Sequence, residues 1–526
     1  MKPRFNLSIG AGVAFALAAT IAIGSPAAWA QEVTAATPAA TSAPASAGTT
    51  QNELDQLRAN QQLLQRRLDQ LEQIAQVGPA HPHLPPGTAA IAGSFPRSFL
   101  IPGTDTSIEI GGLVDFDMTE FLHGVSPNTS NSSTSTGYGG ATIAGLALND
   151  TAASKRSSDV FYANVQNSRL FFETRTPTAF GEAVTHIEFD FSSCTAGVTA
   201  SANCSSSMTF VNPLIPRLRL AYATLGGWMF GQNWGIGTDL AAFPESFDST
   251  GIVGTWGRAR LPEASYTWNF PSMFGATSLQ VGIEMPEGSL ATPAGLPLAT
   301  DLASQGLETS ENPLKNEWPS PAFALTFNQP WGHVQAHGDF QETYLDDGLF
   351  LNNSFFDYGG GLSGDFHVPM IGPKDDVGWS AFGGQGDLVD NGSPANWFTD
   401  SVVSNFGGTG MYGAIGVPLT AANESLLRFQ VPTDWGGNIW YQHWWTPTVR
   451  STINYGYVQN NLDASLLGPA AVTTYNHSQT LALLNLIFSP VPFVNTGLEA
   501  FYGNRHTVAG KIGNEYGIDY SFIMKF

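Results

Sequence analysis

The chain closes on EYGIDYSFIMKF, residues 515–526, and a strict alternation of this kind leaves few folds open. Tyr516, Ile518, Tyr520, Phe522, Met524 and Phe526 share one parity, and Glu515, Gly517, Asp519, Ser521 and Lys525 hold the other, broken only by Ile523. A period of two places the two sets on opposite faces of a strand. The same pattern recurs from about Ile108 onward. Ile108, Ile110, Val114, Phe116 and Met118 oppose Glu109, Asp115 and Asp117; Ile187, Phe189 and Phe191 oppose His186, Glu188 and Asp190. Tyr266, Trp268 and Phe270 oppose Ser265, Thr267 and Asn269, while His333, Gln335, His337 and Asp339 oppose Val334, Ala336 and Phe340. Faces crowded with paired charges and amides suit a water-filled interior, although a sandwich with one wet face would alternate in the same way.

The connections separate the two. Short turns fall at 176–182, 225–227, 270–275, 328–332, 369–376, 446–448 and 489–492, and between them run long loops rich in Ser, Thr, Asn, Gly and Asp. Alternating short and long links mark an outer-membrane β-barrel, with turns on the periplasmic side and loops outside. Seven turns and eight loops imply an all-β, transmembrane antiparallel β-barrel of about 16 strands, although 387–436 resist clean division. Composition agrees: only 12% of the 526 residues are charged, aromatics reach 12%, and no run of about 18 apolar residues follows the N-terminus. Trp and Tyr gather near segment ends, as at Tyr266, Trp268, Trp440, Trp444 and Trp445, in the manner of interfacial girdles. Phe526 is expected at the periplasmic rim, as the C-terminal signature through which the last strand engages the barrel-assembly machinery.

Four segments precede the barrel, which is expected over 101–526. Residues 1–30 read as a signal peptide, with Lys2 and Arg4 ahead of an apolar core and Ala28-Trp29-Ala30 at the cleavage point. Residues 31–50 are an Ala/Thr/Pro/Ser-rich spacer, and 77–100 a Pro/Gly linker. Between them, 51–76 predict a short α-helical coiled coil in the periplasm, about 39 Å long at the usual helical rise. Its seam is Leu54, Leu57, Gln61, Leu64, Leu68 and Leu71, with Gln61 the polar position that sets register. The other reading of this stretch is a single amphipathic helix lying on a surface. Cys194 and Cys204, the two cysteines, sit in one polar loop of an exported chain, which favours a disulfide there. A formal net charge of −22 does not suit nucleic acid.

The informative charges are arginines inside apolar strands. An Arg facing lipid at the midplane costs about 2–4 kcal/mol, so Arg169, Arg175, Arg217, Arg219, Arg258, Arg260 and Arg450 are expected to line the pore. A row of guanidiniums concentrates anions and grips carboxylates. The competing role is bracing, with Glu173, Glu188 and Asp190 as partners. Residues 231–257 are a candidate constriction loop, with Leu240, Phe243, Phe247 and Ile252 for packing and the acids Asp239, Glu245 and Asp248 to face the arginines. An external cap is the alternative.

Several stretches resemble the DcaP-like family of trimeric outer-membrane porins: 101–117, 168–182, 217–234, 443–457 and 489–505, together with the leader and Phe526. The resemblance implies a homotrimer, a 16-stranded barrel in contact with outer-membrane lipids, an N-terminal periplasmic coiled coil, and uptake of small anions such as dicarboxylates. The acidic balance and the cysteine loop depart from it and bear on solute preference. No cofactor or metal is expected: His333, His337 and Asp339 could ligate a metal, but hydrogen bonding along the wall is the preferred reading. No G-x-S-x-G, H-E-x-x-H or P-loop motif points to an enzyme acting on lipid or peptide. The remaining alternative is a tether between membrane and periplasm.

Overall fold

In the computed structural model the described residues are 92–124, 143, 146–193, 215–247, 252–256, 260–273, 275–286, 290–291, 314–346, 352–386, 402–406, 427–465, 467, 472–473 and 475–526. The signal peptide, spacer and coiled-coil seam lie outside them, as do Cys194, Cys204, Asp248 and Arg258.

Sixteen antiparallel strands form one closed barrel. In chain order they are β1 (Ser107–His123), β2 (Val160–Asn164 and, after a break, Arg169–Thr178), β3 (Gly181–Ser193), β4 (Ile215–Leu225), β5 (Trp228–Trp234) and β6 (Arg260–Ser272). They continue as β7 (Gly275–Glu284), β8 (Ser320–Gln329), β9 (Gly332–Asp346), β10 (Asn352–His367) and β11 (Asp376–Gln385). The last five are β12 (Thr433–Thr446), β13 (Val449–Asn460), β14 (Asn476–Val491), β15 (Val494–Thr507) and β16 (Ile512–Lys525). Each strand pairs with its neighbours in sequence, and β16 closes on β1 with Phe116 opposite Phe522 and Leu113 opposite Lys525. Both halves of β2 pair with β1, so the break at 165–168 interrupts one strand and does not begin another.

Alternation decides which residues meet lipid. Ile110, Val114, Ile518, Met524 and Phe526 are exposed on the outer surface, while Glu109, Asp115, Asp117, Glu515, Asp519 and Ser521 on the opposite parity are buried. Closure removes the free edges that an open sheet would present in lipid. The last residue completes the seam: Phe526 N–H donates to the Gly112 carbonyl at 3.0 Å, and Gly112 N–H returns the bond at 3.2 Å.

All seven expected turns connect strands at the rim that also holds the C-terminus. The loop rim differs from expectation in two places. The links 347–351 and 508–511 are short, because β9 and β10, and β15 and β16, need only a hairpin there; Gly510, at φ +73°, takes the left-handed turn position. The stretch 387–436 that resisted division contributes no complete barrel strand before Thr433. Its described pieces Val402–Phe406 and Leu427–Gln430 pair with each other, and the former with Leu290–Ala291, in a separate three-stranded sheet.

Candidate functional site

Between β5 and β6 the chain turns into the barrel. The described residues of this segment are 235–247 and 252–256, and many strands of the inner wall hold them. Ile236 N–H donates to Glu284 on β7, and the Gln335 amide on β9 donates to the Gly237 carbonyl at 2.7 Å. Asp239 is bonded to His333 Nε2 of β9 at 2.8 Å and accepts from Ser363 Oγ of β10 at 2.6 Å. The Trp440 indole of β12 donates to the Ala242 carbonyl at 2.7 Å. Glu245 takes two guanidinium bonds from Arg450 of β13 and one from Gln442 of β12. Asn485 of β14 donates to the Glu245 carbonyl, and Glu499 of β15 accepts from Ser246 and from Phe247 N–H. Trp256 N–H then returns to Ser380 of β11, and its ring stacks on His337 at 4.5 Å. The loop therefore lies along the wall from β7 to β15.

Packing fixes it there. Ile252, Val253 and Trp256 join one buried apolar cluster with the inward residues Phe121, Phe382, Val458, Leu481, Leu483 and Phe501. Phe247 makes a second cluster with Leu113, Ile487 and Ile523. Glycine is needed at Gly456, where a Cβ would overlap the Val253 carbonyl oxygen, and at Gly254 and Gly237, whose φ values of +82° and +93° are left-handed positions that favour glycine. 

Strands β2, β4 and β6 carry the other arginines. Arg217 holds Asp190 through two bonds of 3.0 and 2.6 Å, and Arg219 bridges Glu188 at 2.6 Å and Asp190 at 2.8 Å. The Arg217 side chain keeps 37% of its surface exposed, against 8% for Arg219. Arg169 and Arg260 lie within electrostatic range of this pair. Among the described residues neither has a carboxylate ion-pair partner; Arg260 instead lies over the Trp234 ring at 4.9 Å. Arg175, nearer the turn rim, is tied to Glu173 at 2.7 Å and reaches Glu182 at 3.5 Å.

The geometry thus divides the expected residues. Arg169, Arg217, Arg219 and Arg260 come together on one wall, Arg175 stands apart toward the turns, and Arg450 pairs with the loop. Of the loop acids, Glu245 meets an arginine, but Arg450 and not the cluster, while Asp239 is engaged by His333 and Ser363. His333, read from the sequence as part of the wall row, is the anchor of the loop; Trp440, expected in an interfacial girdle, is instead buried against the loop, and Trp234, Glu284, Ser363 and Glu499 carry no expectation from the sequence. Nothing in their local sequence marks them, because each acts on a segment far along the chain.

A porin subfamily is matched over residues 97–347. Among solved structures, the chain is similar to the outer membrane channel DcaP of Acinetobacter baumannii, at 18% identity over 83% of this chain and all of that one, with a TM-score of 0.58. An anion-selective porin from Comamonas acidovorans (8% identity, 80% of this chain and 100% of that one, TM-score 0.45) and the trimer form of OmpT from Vibrio cholerae (9%, 80% and 99%, 0.42) are more distant. No curated protein matches the sequence. The likeness to DcaP is one of fold.

Proposed function

We propose that this chain is an outer-membrane porin, passes small hydrophilic solutes by diffusion, prefers anions of the dicarboxylate kind, and works as a homotrimer whose N-terminal coil stands in the periplasm. The observation behind the anion preference is the gathering of four guanidiniums, Arg169, Arg217, Arg219 and Arg260, on strands β2, β4 and β6, of which Arg217 keeps 37% of its side-chain surface exposed. Glu188 and Asp190 engage Arg217 and Arg219, so those two residues brace the wall as well as charge it. Arg260 has an aromatic ring beneath it and no carboxylate partner among the described residues, which leaves its donors for a passing anion. A second carboxylate on the same solute could reach the exposed part of Arg217.

The test is reversal potential in planar bilayers under a salt gradient. Arg260→Gln is the informative change, because it removes a charge without orphaning a carboxylate, whereas Arg219→Ala would leave Glu188 buried without its guanidinium and take one of two from Asp190. One charge about 10 Å from the ion path, in water, is worth about 0.4 kcal/mol to each ion and with opposite sign for the two, so the chloride-to-potassium permeability ratio should fall roughly fourfold. Closure in three equal steps is the result expected of the trimer. A cation-selective wild type, indifferent to Arg260, would overturn the solute class, and no conductance at all would favour the tether.

A further inference from the structure

We propose a divalent transition-metal site at the turn rim, formed by Asp365, His367 and Asp376. His367 ends β10 and Asp376 begins β11; the two are directly opposite in the register, and Asp365 lies two residues earlier on the same face as His367. One ligand atom from each, an imidazole nitrogen and two carboxylate oxygens, lies within 4.8 Å of the others. His367 Nδ1 stands 3.9 Å from Asp365 Oδ2 and is bonded to Asp376 Oδ1. Metal–ligand bonds of about 2.0–2.2 Å at tetrahedral angles require ligand atoms roughly 3.3–3.6 Å apart, so small side-chain rotations bring the three onto one ion.

The surroundings favour an ion over a plain ion pair. Asp365 turns its other oxygen to His333 Nδ1, and His333 Nε2 in turn bonds Asp239 of the inward loop. This is the outer-shell support that orients a ligating carboxylate and leaves its second oxygen free for a metal. Asp375, next in the chain, is occupied elsewhere. Burial alone would raise its carboxyl, but the Trp444 N–H, Tyr441 and His443 bond it and hold it below the usual carboxylate range. The remaining coordination positions would be filled by water, for which the half-exposed His367 leaves room. One nitrogen and two oxygen donors suit Zn²⁺ and its neighbours over Mg²⁺ or Ca²⁺, which take oxygen ligands alone. An ion there would neutralise two carboxylates at the mouth and sit one residue from the His333 anchor of the constriction loop.

Zinc binding to the full, detergent-solubilised chain, followed by titration calorimetry, tests the site without reference to transport. The wild type should take one Zn²⁺ per chain in the presence of excess Mg²⁺, and His367→Ala should weaken that binding by more than the 10–100-fold typical of losing an outer-shell partner. His367 is exposed at a rim, and heat-modified gel mobility verifies that the variant remains a folded barrel. Asp376→Asn is the second variant and should weaken binding likewise. Zinc stoichiometry and affinity unchanged in both variants, or no Zn²⁺ bound by the wild type, would show that the three residues make only an ion pair. In bilayers, Zn²⁺ added on the turn side should change wild-type conductance and leave His367→Ala unaffected.

Discussion

At the scale of single residues, function depends on where a side chain is missing as much as on where one is charged. Gly456 is the clearest case, since the Val253 carbonyl occupies the space a Cβ would need. A valine there must push the loop off the wall. Overpacking of this kind costs about 1–3 kcal/mol, and the strain should be relieved by loop displacement while the barrel itself holds. Gly456→Val is therefore expected to raise single-channel conductance with little change in the temperature at which the barrel unfolds. An unchanged conductance with a lowered unfolding temperature would place the strain in the wall. The sequence shows that residue 456 lies on a strand, but the glycine there is mute about the loop some 200 positions away that makes it necessary.

At the scale of elements, the loop between β5 and β6 is held by polar tethers at one end and apolar packing at the other. The Glu245–Arg450 pair is the strongest single tether, bidentate and nearly buried on the arginine side. Removing one partner of a buried pair costs about 3–5 kcal/mol because the other is left without compensation. Glu245→Ala should accordingly free residues 240–247, raise conductance and open the loop to proteolysis in detergent, while Glu245→Asp should behave nearly as wild type. Resistance of Glu245→Ala to cleavage would show that the apolar clusters suffice. Strands, their parity and all seven turns were legible in the sequence because they rest on period-two patterning and on turn residues that act locally. The loop could be named as a candidate from its apolar and acidic content, but not its direction: packing inward and capping outward call for the same residues. What decides between them is the inner wall, where His333, Ser363, Trp440 and Glu499 wait on five hundred residues of closure to be brought within reach.

At the scale of the whole molecule, two charge distributions compete. The chain as a whole carries a formal net charge of −22, yet the guanidiniums are gathered on one wall beside the loop. Screening decides which of them a permeating ion feels. At about 0.1 M salt the screening length is about 10 Å, so an ion in the constriction responds to Arg169, Arg217, Arg219 and Arg260 and hardly to acids on distant loops. At about 0.01 M the length grows to about 30 Å, comparable with the barrel, and the acidic total reaches the same ion. Anion preference is therefore expected to be stronger at the higher of these two concentrations, the reverse of what a pore with a single sign of charge would show. The measurement is the reversal potential under a fixed twofold gradient, taken at both mean concentrations. A preference for anions that grows as salt is removed would mean that the arginine wall dominates at every range, and that the acids lie where no permeating ion passes. A preference that weakens or reverses would show the local wall acting as the filter inside an acidic molecule, which is the arrangement the fold creates by gathering Arg169, Arg217, Arg219 and Arg260 on neighbouring strands.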